Sequence, residues 1–234
     1  MNSTQVSQTP LRLRSRRHFL NRVALTAALF TARGAFAEEL SRTVYPKTAH
    51  LTEGPFYPPK LPLDTDNDLV IVNDSITPAV GEITHLSGTL TDTKGQPVRN
   101  ALIEIWQVDN QGIYLADRSN SSKLDANFQG FGRFLTSSTG GYYFRTIKPV
   151  VYRGRQAPHI HFKIKAPRRD PWTTQLFIKG HPGNVRDGVY SELGNAAARD
   201  SVTKDFRPLK GSMAGELAAR FDIVLGITSE DRAS

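Results

Sequence analysis

From residue 84 onward, short runs of β-branched and aromatic residues are separated by Gly- and Pro-containing turns at intervals of about 8–12 residues, a rhythm that confines the chain to strands. Strands are expected over 84–90, 101–108, 134–136, 142–147, 159–165, 174–178 and 221–227. Asp92–Pro97 and Gly140-Gly141 read as turns, and 213–219 as a short helix. Strands so punctuated make a sandwich or barrel. The fold expected is all-β, a single sandwich domain of mixed and antiparallel strands whose long loops carry the functional site. Three prolines and a glycine in 51–59 forbid helix there. Residues 61–68 are acidic and turn-rich. Their Asp-x-Asp-x-Asp spacing lacks the glycine and terminal glutamate of a calcium loop, so they read as a solvated loop.

One expected strand carries chemistry. From His159 the residues alternate with period two: His159, His161 and Lys163 project to one face, and Ile160, Phe162 and Ile164 to the other. The apolar set demands a core, so both imidazoles share the opposite face and can grip one metal ion. Tyr152 lies on the loop feeding that strand, its phenol within reach of the same point. Tyr114 is presented just beyond an Asp109-Asn110-Gln111-Gly112 turn that ends another strand. Tyrosine with histidine, in a chain without cysteine, favours a hard, oxidised ion over a structural zinc. The competing reading is a chance His-x-His on a solvated face.

Residues 1–37 are expected to be an export signal rather than fold. Five arginines between positions 12 and 22 precede an apolar run from Val23 to Ala32, too short to span a membrane, and Ala35-Phe36-Ala37 has the small-x-small form of a cleavage site. Ser15-Arg16-Arg17-His18-Phe19-Leu20 has the paired arginines of a twin-arginine signal, which places the mature protein in the periplasm or outside the cell. Removing the six arginines of this segment lowers the net charge from +8 to +2. The basic balance therefore belongs to the signal and gives no support for nucleic-acid binding. Absence of cysteine excludes disulfides, iron–sulfur clusters and c-type haem attachment. Residues 38–83 are expected as an arm and loops packed on a catalytic sandwich over 84–234, with no stable membrane insertion.

The motifs as a set are specific. Glu104-Ile105-Trp106-Gln107, with Asp109, Gly112 and Tyr114 following; Gly130-Phe131-Gly132-Arg133; Thr139-Gly140-Gly141-Tyr142-Tyr143-Phe144-Arg145; and Tyr152 leading to His159-Ile160-His161-Phe162 stand in order. Together they resemble the intradiol ring-cleavage dioxygenases. Glu53-Gly54-Pro55-Phe56-Tyr57-Pro58 and Leu61-Pro62-Leu63-Asp64 are most similar to the protocatechuate 3,4-dioxygenase branch. The resemblance implies a mononuclear non-haem Fe(III) held by Tyr114, Tyr152, His159 and His161. It implies that a catecholic substrate is cleaved by O2 to a cis,cis-muconate-type diacid, with Tyr152 the ligand that leaves on substrate binding. It also implies a charge-stabilising Arg155 and a Gln175 on the next strand.

Two departures stand out. The family arginine usually lies three residues before the first histidine, where this chain has Gln156, and the spacing from Tyr152 to His159 is short. Either a one-residue bulge restores Arg155 or its role is weakened. Catechol, protocatechuate, hydroxyquinol and lignin-derived catechols all fit. Arg118, Arg133 and Arg153 are candidates to meet a substrate carboxylate, and a homo- or hetero-oligomer fits the family. Two other classes compete. One is a non-catalytic transthyretin-like or carboxypeptidase-regulatory-like sandwich, which has no use for the paired Tyr and His. The other is a copper or zinc site of His159, His161 and His181, which would leave both tyrosines idle.

Overall fold

The computed structural model describes residues 44–73, 75–117 and 119–226, and residues from Val44 on form one compact unit. The expected export signal, Arg118 and the last position of the expected terminal strand lie outside the described residues. Among the described residues, ten strands form two five-stranded sheets. In the first, β1 (Ile83–Asp92) pairs antiparallel with β4 (Gly141–Ile147) and parallel with both β9 (Leu217–Arg220) and β10 (Ile223–Leu225), and β8 (Phe206–Pro208) extends from β9. The second runs β3 (Phe131–Leu135), β2 (Leu102–Trp106), β5 (His159–Lys165), β6 (Trp172–Ile178), β7 (Thr203–Lys204). It is antiparallel except at its β6–β7 edge.

The main core joins inward residues of both sheets. Leu86 and Leu90 of β1 and Phe144 of β4 belong to one cluster with Ile103 and Ile105 of β2 and Ile160, Phe162 and Ile164 of β5. The apolar half of the period-two strand thus enters the core, and its histidines lie on the outer face of the second sheet. That outer face is not solvated, because the chain before β1 runs over it. Leu51 N–H donates to the Thr173 carbonyl, Thr173 and Thr174 hydroxyls donate to the carbonyls of Leu51 and Ala49, and Gln175 Nε2–H donates to the Thr52 carbonyl. Further along, Glu53 pairs with Lys163 at 2.6 Å, and Tyr57 O–H donates to the carboxylate of buried Glu104 at 2.9 Å.

The short helix expected over 213–219 is not formed. Gly211 and Gly215 adopt φ of +86° and +71°, which interrupts any helix, and Leu217 and Ala219 are buried alternately as in a strand. The helices lie earlier, as α1 (Gly188–Ser191) and α2 (Ala196–Val202). Asp187 and Asn195 cap their first turns by accepting from Tyr190 N–H and Ala198 N–H.

Candidate metal centre

Tyr114 is delivered by the turn after β2. The buried Asp109 carboxylate holds that turn, with Oδ1 accepting from Gln111 N–H and Ile113 N–H at 2.9 and 3.0 Å. Gly112 lies at φ +79°, and a Cβ there would stand 3.0 Å from Val151 O and 3.2 Å from Tyr152 Cβ. The first tyrosine's turn is therefore pressed onto the second tyrosine's loop. Tyr152 sits at the start of a tight turn closed by Arg155 N–H on its carbonyl. The phenol rings meet edge to face, with centroids 5.0 Å apart.

Three donor atoms from distant segments converge. Tyr114 Oη lies 3.0 Å from His161 Nε2 and 3.3 Å from His159 Nε2, and the two Nε2 atoms are 3.2 Å apart. Ligands bonded at about 2.0–2.1 Å and about 90–110° to one another would be separated by about 2.9–3.4 Å, so the triangle fits a single metal ion. Among the described residues no three His, Cys, Asp or Glu side chains gather as a metal cluster. A metal held here would depend on phenols.

The imidazoles are prepared as ligands. His159 donates its Nδ1–H to the Ala157 carbonyl at 2.7 Å, which leaves the Nε2 lone pair facing the convergence point. Burial, reinforced by the Arg155 cation, pushes His159 down to about 3. Burial, His159 and Arg155 together hold His161 well below the usual histidine range. Both are thus neutral, the form that binds metal. His161 also stacks flat on Trp106, with centroids 4.8 Å apart and planes at 9°. The phenols show the opposite need. Burial, then the neighbouring Tyr152, raises Tyr114 well above the normal phenol range, against a smaller pull from Arg155. Tyr152 is raised less, again chiefly by burial. Two buried phenolates side by side are unfavourable without a compensating cation, a charge that a multivalent metal would supply.

The structure places Arg155 at this centre. Its Nη1 stands 3.4 Å from His159 Nε2 and its Nη2 donates to Gln175 Oε1 at 3.0 Å, while Gln156 is exposed. The Gln156 backbone passes close to Gly183, where an added Cβ would overlap its carbonyl. Other candidates are placed elsewhere. His181 Nδ1 accepts from Gly183 N–H, His85 is bonded to Tyr143 on the other sheet, and Tyr142 donates to the Phe221 carbonyl. Arg153 is exposed, and Arg133 faces Glu104 across the β2–β3 ladder.

Two neighbours are not evident from sequence. Phe56 stacks on Tyr114 with centroids 4.5 Å apart and planes at 12°, and meets Tyr152 edge-on. Its motif is visible, yet nothing local says that it folds over a residue far along the chain. Asp187, which holds Arg155, has no sequence signal beyond that of a helix cap.

With this geometry in hand, comparison with known proteins is informative. The dioxygenase family model matches residues 52–226. The protocatechuate 3,4-dioxygenase beta chain of Burkholderia cepacia is 34% identical over 154 residues, covering 62% of this chain and 65% of that one. Hydroxyquinol 1,2-dioxygenase of Nocardioides simplex is 31% identical over 173 residues, covering 63% and 55%. The chain thus spans about half to two thirds of the length of these curated relatives. Among solved structures, the dioxygenase domain of a dioxygenase carbohydrate-binding protein fusion from Streptomyces sp. SirexAA-E superposes with a TM-score of 0.60 at 27% identity, over 78% of this chain and all of that one. Catechol 1,2-dioxygenase of Acinetobacter sp. ADP1, at 24% identity and TM-score 0.59 over 86% and 70%, shares the fold.

Proposed function

Since the chain belongs to the dioxygenase family of intradiol ring-cleaving enzymes, we propose that it cleaves a catechol-type aromatic with O2 between its two hydroxylated carbons. The product is a cis,cis-muconate-type diacid, and the cofactor one Fe(III) held by Tyr114, Tyr152, His159 and His161. The observation that carries this reading is the 3.0–3.3 Å triangle of Tyr114 Oη, His159 Nε2 and His161 Nε2, with the Tyr152 ring against it.

When bound, a ferric ion supplies Lewis acidity that draws electron density from a catecholate and opens its ring carbon to O2. The chain's residues divide the remaining work. His159 and His161, neutral and fixed by the Ala157 carbonyl and the Trp106 stack, contribute lone pairs without adding charge. Tyr114, buried under Phe56, would be the anionic ligand that stays in place. Tyr152 is the less buried phenol and would be the group that leaves its position and takes up a substrate proton. Arg155, oriented by Gln175, stabilises negative charge developing on the substrate. Phe56 and Trp106 exclude water from that charge.

The proposal includes export of the folded protein through the twin-arginine route. The test is expression of the full chain. The expected result is wine-red periplasmic protein, coloured by tyrosinate-to-Fe(III) charge transfer and active on a catechol panel, with Arg16→Lys plus Arg17→Lys retaining it in the cytoplasm. Colourless protein with stoichiometric zinc refutes the enzyme reading. Normal periplasmic accumulation of the double variant refutes the route.

A further inference from the structure

Asp187 lies outside both sheets, between the 3-10 turn Asn184–Arg186 and α1, yet its carboxylate is wholly buried. Oδ2 accepts from Arg155 Nε at 2.7 Å and from Ala157 N–H at 3.2 Å, and Oδ1 accepts from Tyr190 N–H at 3.1 Å. The Ala157 backbone is engaged on both sides, its N–H by Asp187 and its carbonyl by His159 Nδ1–H. One carboxylate therefore reaches the centre along two branches. The first aims the Arg155 fork, whose far nitrogens meet Gln175 and His159. The second runs through a single residue, Ala157, to the tautomer of an expected metal ligand.

Capping a short helix does not require this charge. Asn195 caps α2 with the same side-chain-to-backbone bond, at 2.9 Å. What sets position 187 apart is the guanidinium it faces, whose side chain is only 13% exposed and needs an anion there. On the function proposed above, we propose that Asp187 is a positioning residue for the metal centre. It locks Arg155 toward the substrate side, and it holds the backbone at Ala157 so that His159 presents Nε2. It does not touch metal or substrate itself.

The test uses Asp187→Asn, which keeps one acceptor oxygen and so the cap on Tyr190, but cannot serve both ends. Where Asp187→Asn does not fold, Asp187→Ser, also a good cap, is read in the same way. Three readouts are taken. In metal-free protein, imidazole ¹⁵N shifts are expected to show His159 as the Nδ1–H tautomer in the wild type and as a mixture in the variant. In iron-loaded protein, the visible charge-transfer band is expected to shift, with kcat on catechol falling about 10–100-fold at retained iron content. In the Arg155→Ala background the same substitution is expected to lower kcat by less than it does in the wild type, because only the branch through Ala157 to His159 is left to lose.

An unchanged tautomer with band and kcat near wild type overturns the proposal. So does a loss that adds in full to that of Arg155→Ala, since a purely structural role would add. A wild type that cleaves no catechol overturns the function instead, and the metal-free tautomer measurement still decides Asp187.

Discussion

Gly112→Ala should separate backbone strain from damage to the centre. The residue sits at φ +79°, where an L side chain costs about 1–2 kcal/mol. Its added Cβ would lie 3.0 Å from Val151 O and 3.2 Å from Tyr152 Cβ, close enough that the Tyr152 loop must retreat by a few tenths of an ångström. For a unit of this size each kcal/mol lowers Tm by about 2–4 °C, so a fall of about 2–8 °C is expected. A misplacement of about 1 Å can cost about 100-fold in rate, so a shift of a few tenths should reduce kcat several-fold. Gly180→Ala is the comparison: its φ is +74°, but no atom lies within 4 Å of its added Cβ. Thermal unfolding, the visible band and kcat are measured on both. Both variants should lose stability, and only Gly112→Ala should shift the band and slow turnover. Equal slowing in the two, or a Gly112→Ala protein as stable as wild type, would refute the reasoning.

Two further outcomes follow from the centre. Tyr152→Phe should retain iron through Tyr114, His159 and His161 but lose about 10²–10⁴ in rate, whereas His159→Ala or His161→Ala should lose most of the metal. Iron content and steady-state rate on the same preparations decide this, and near wild-type turnover by Tyr152→Phe would remove that residue from the mechanism. Metal-free protein should be acid-sensitive. The folded pKa of His159 is about 3 against 6.5 unfolded, so its contribution is complete above about pH 6.5 and is lost as pH falls toward 3. Near pH 4.5 the loss from His159 alone is on the order of 3 kcal/mol, with His161 acting in the same direction and the depressed Asp187 adding to it only below the ordinary carboxylate range. Urea midpoints of metal-free protein that stay constant from neutrality to about pH 4 would contradict it.

The period-two alternation of β5 allowed its inward and outward faces to be told apart from sequence, because the strand has one apolar partner surface and the pattern has only two phases. Tyr114 was legible for a similar reason, since Asp109 and Gly112 define a turn whose exit residue has a fixed direction. The burial of the histidines was not legible. Alternation predicts a wet outer face, and it takes the run of residues 49–57, the loops carrying Tyr114 and Tyr152, and the helices after β6 to make it dry. Asp187 and Phe56 escaped for the same reason, because their importance lies in partners that no local pattern specifies. The helix expected over 213–219 failed because two glycines with positive φ outweighed the helix-favouring Ala and Glu beside them.

That run of the chain across the second sheet has a consequence for the order of assembly. The bonds fastening Ala49, Leu51 and Thr52 to β6 join residues 122 to 125 positions apart. Loops of that span close late, after local hairpins have formed, because their closure entropy must be met before the contact returns anything. Until it happens, the outer face of β5 is open to water and Tyr114 has no ring stacked above it. Retention of the proposed metal would therefore report on how completely the chain has closed, with the earliest residues of the compact unit among the last to contribute.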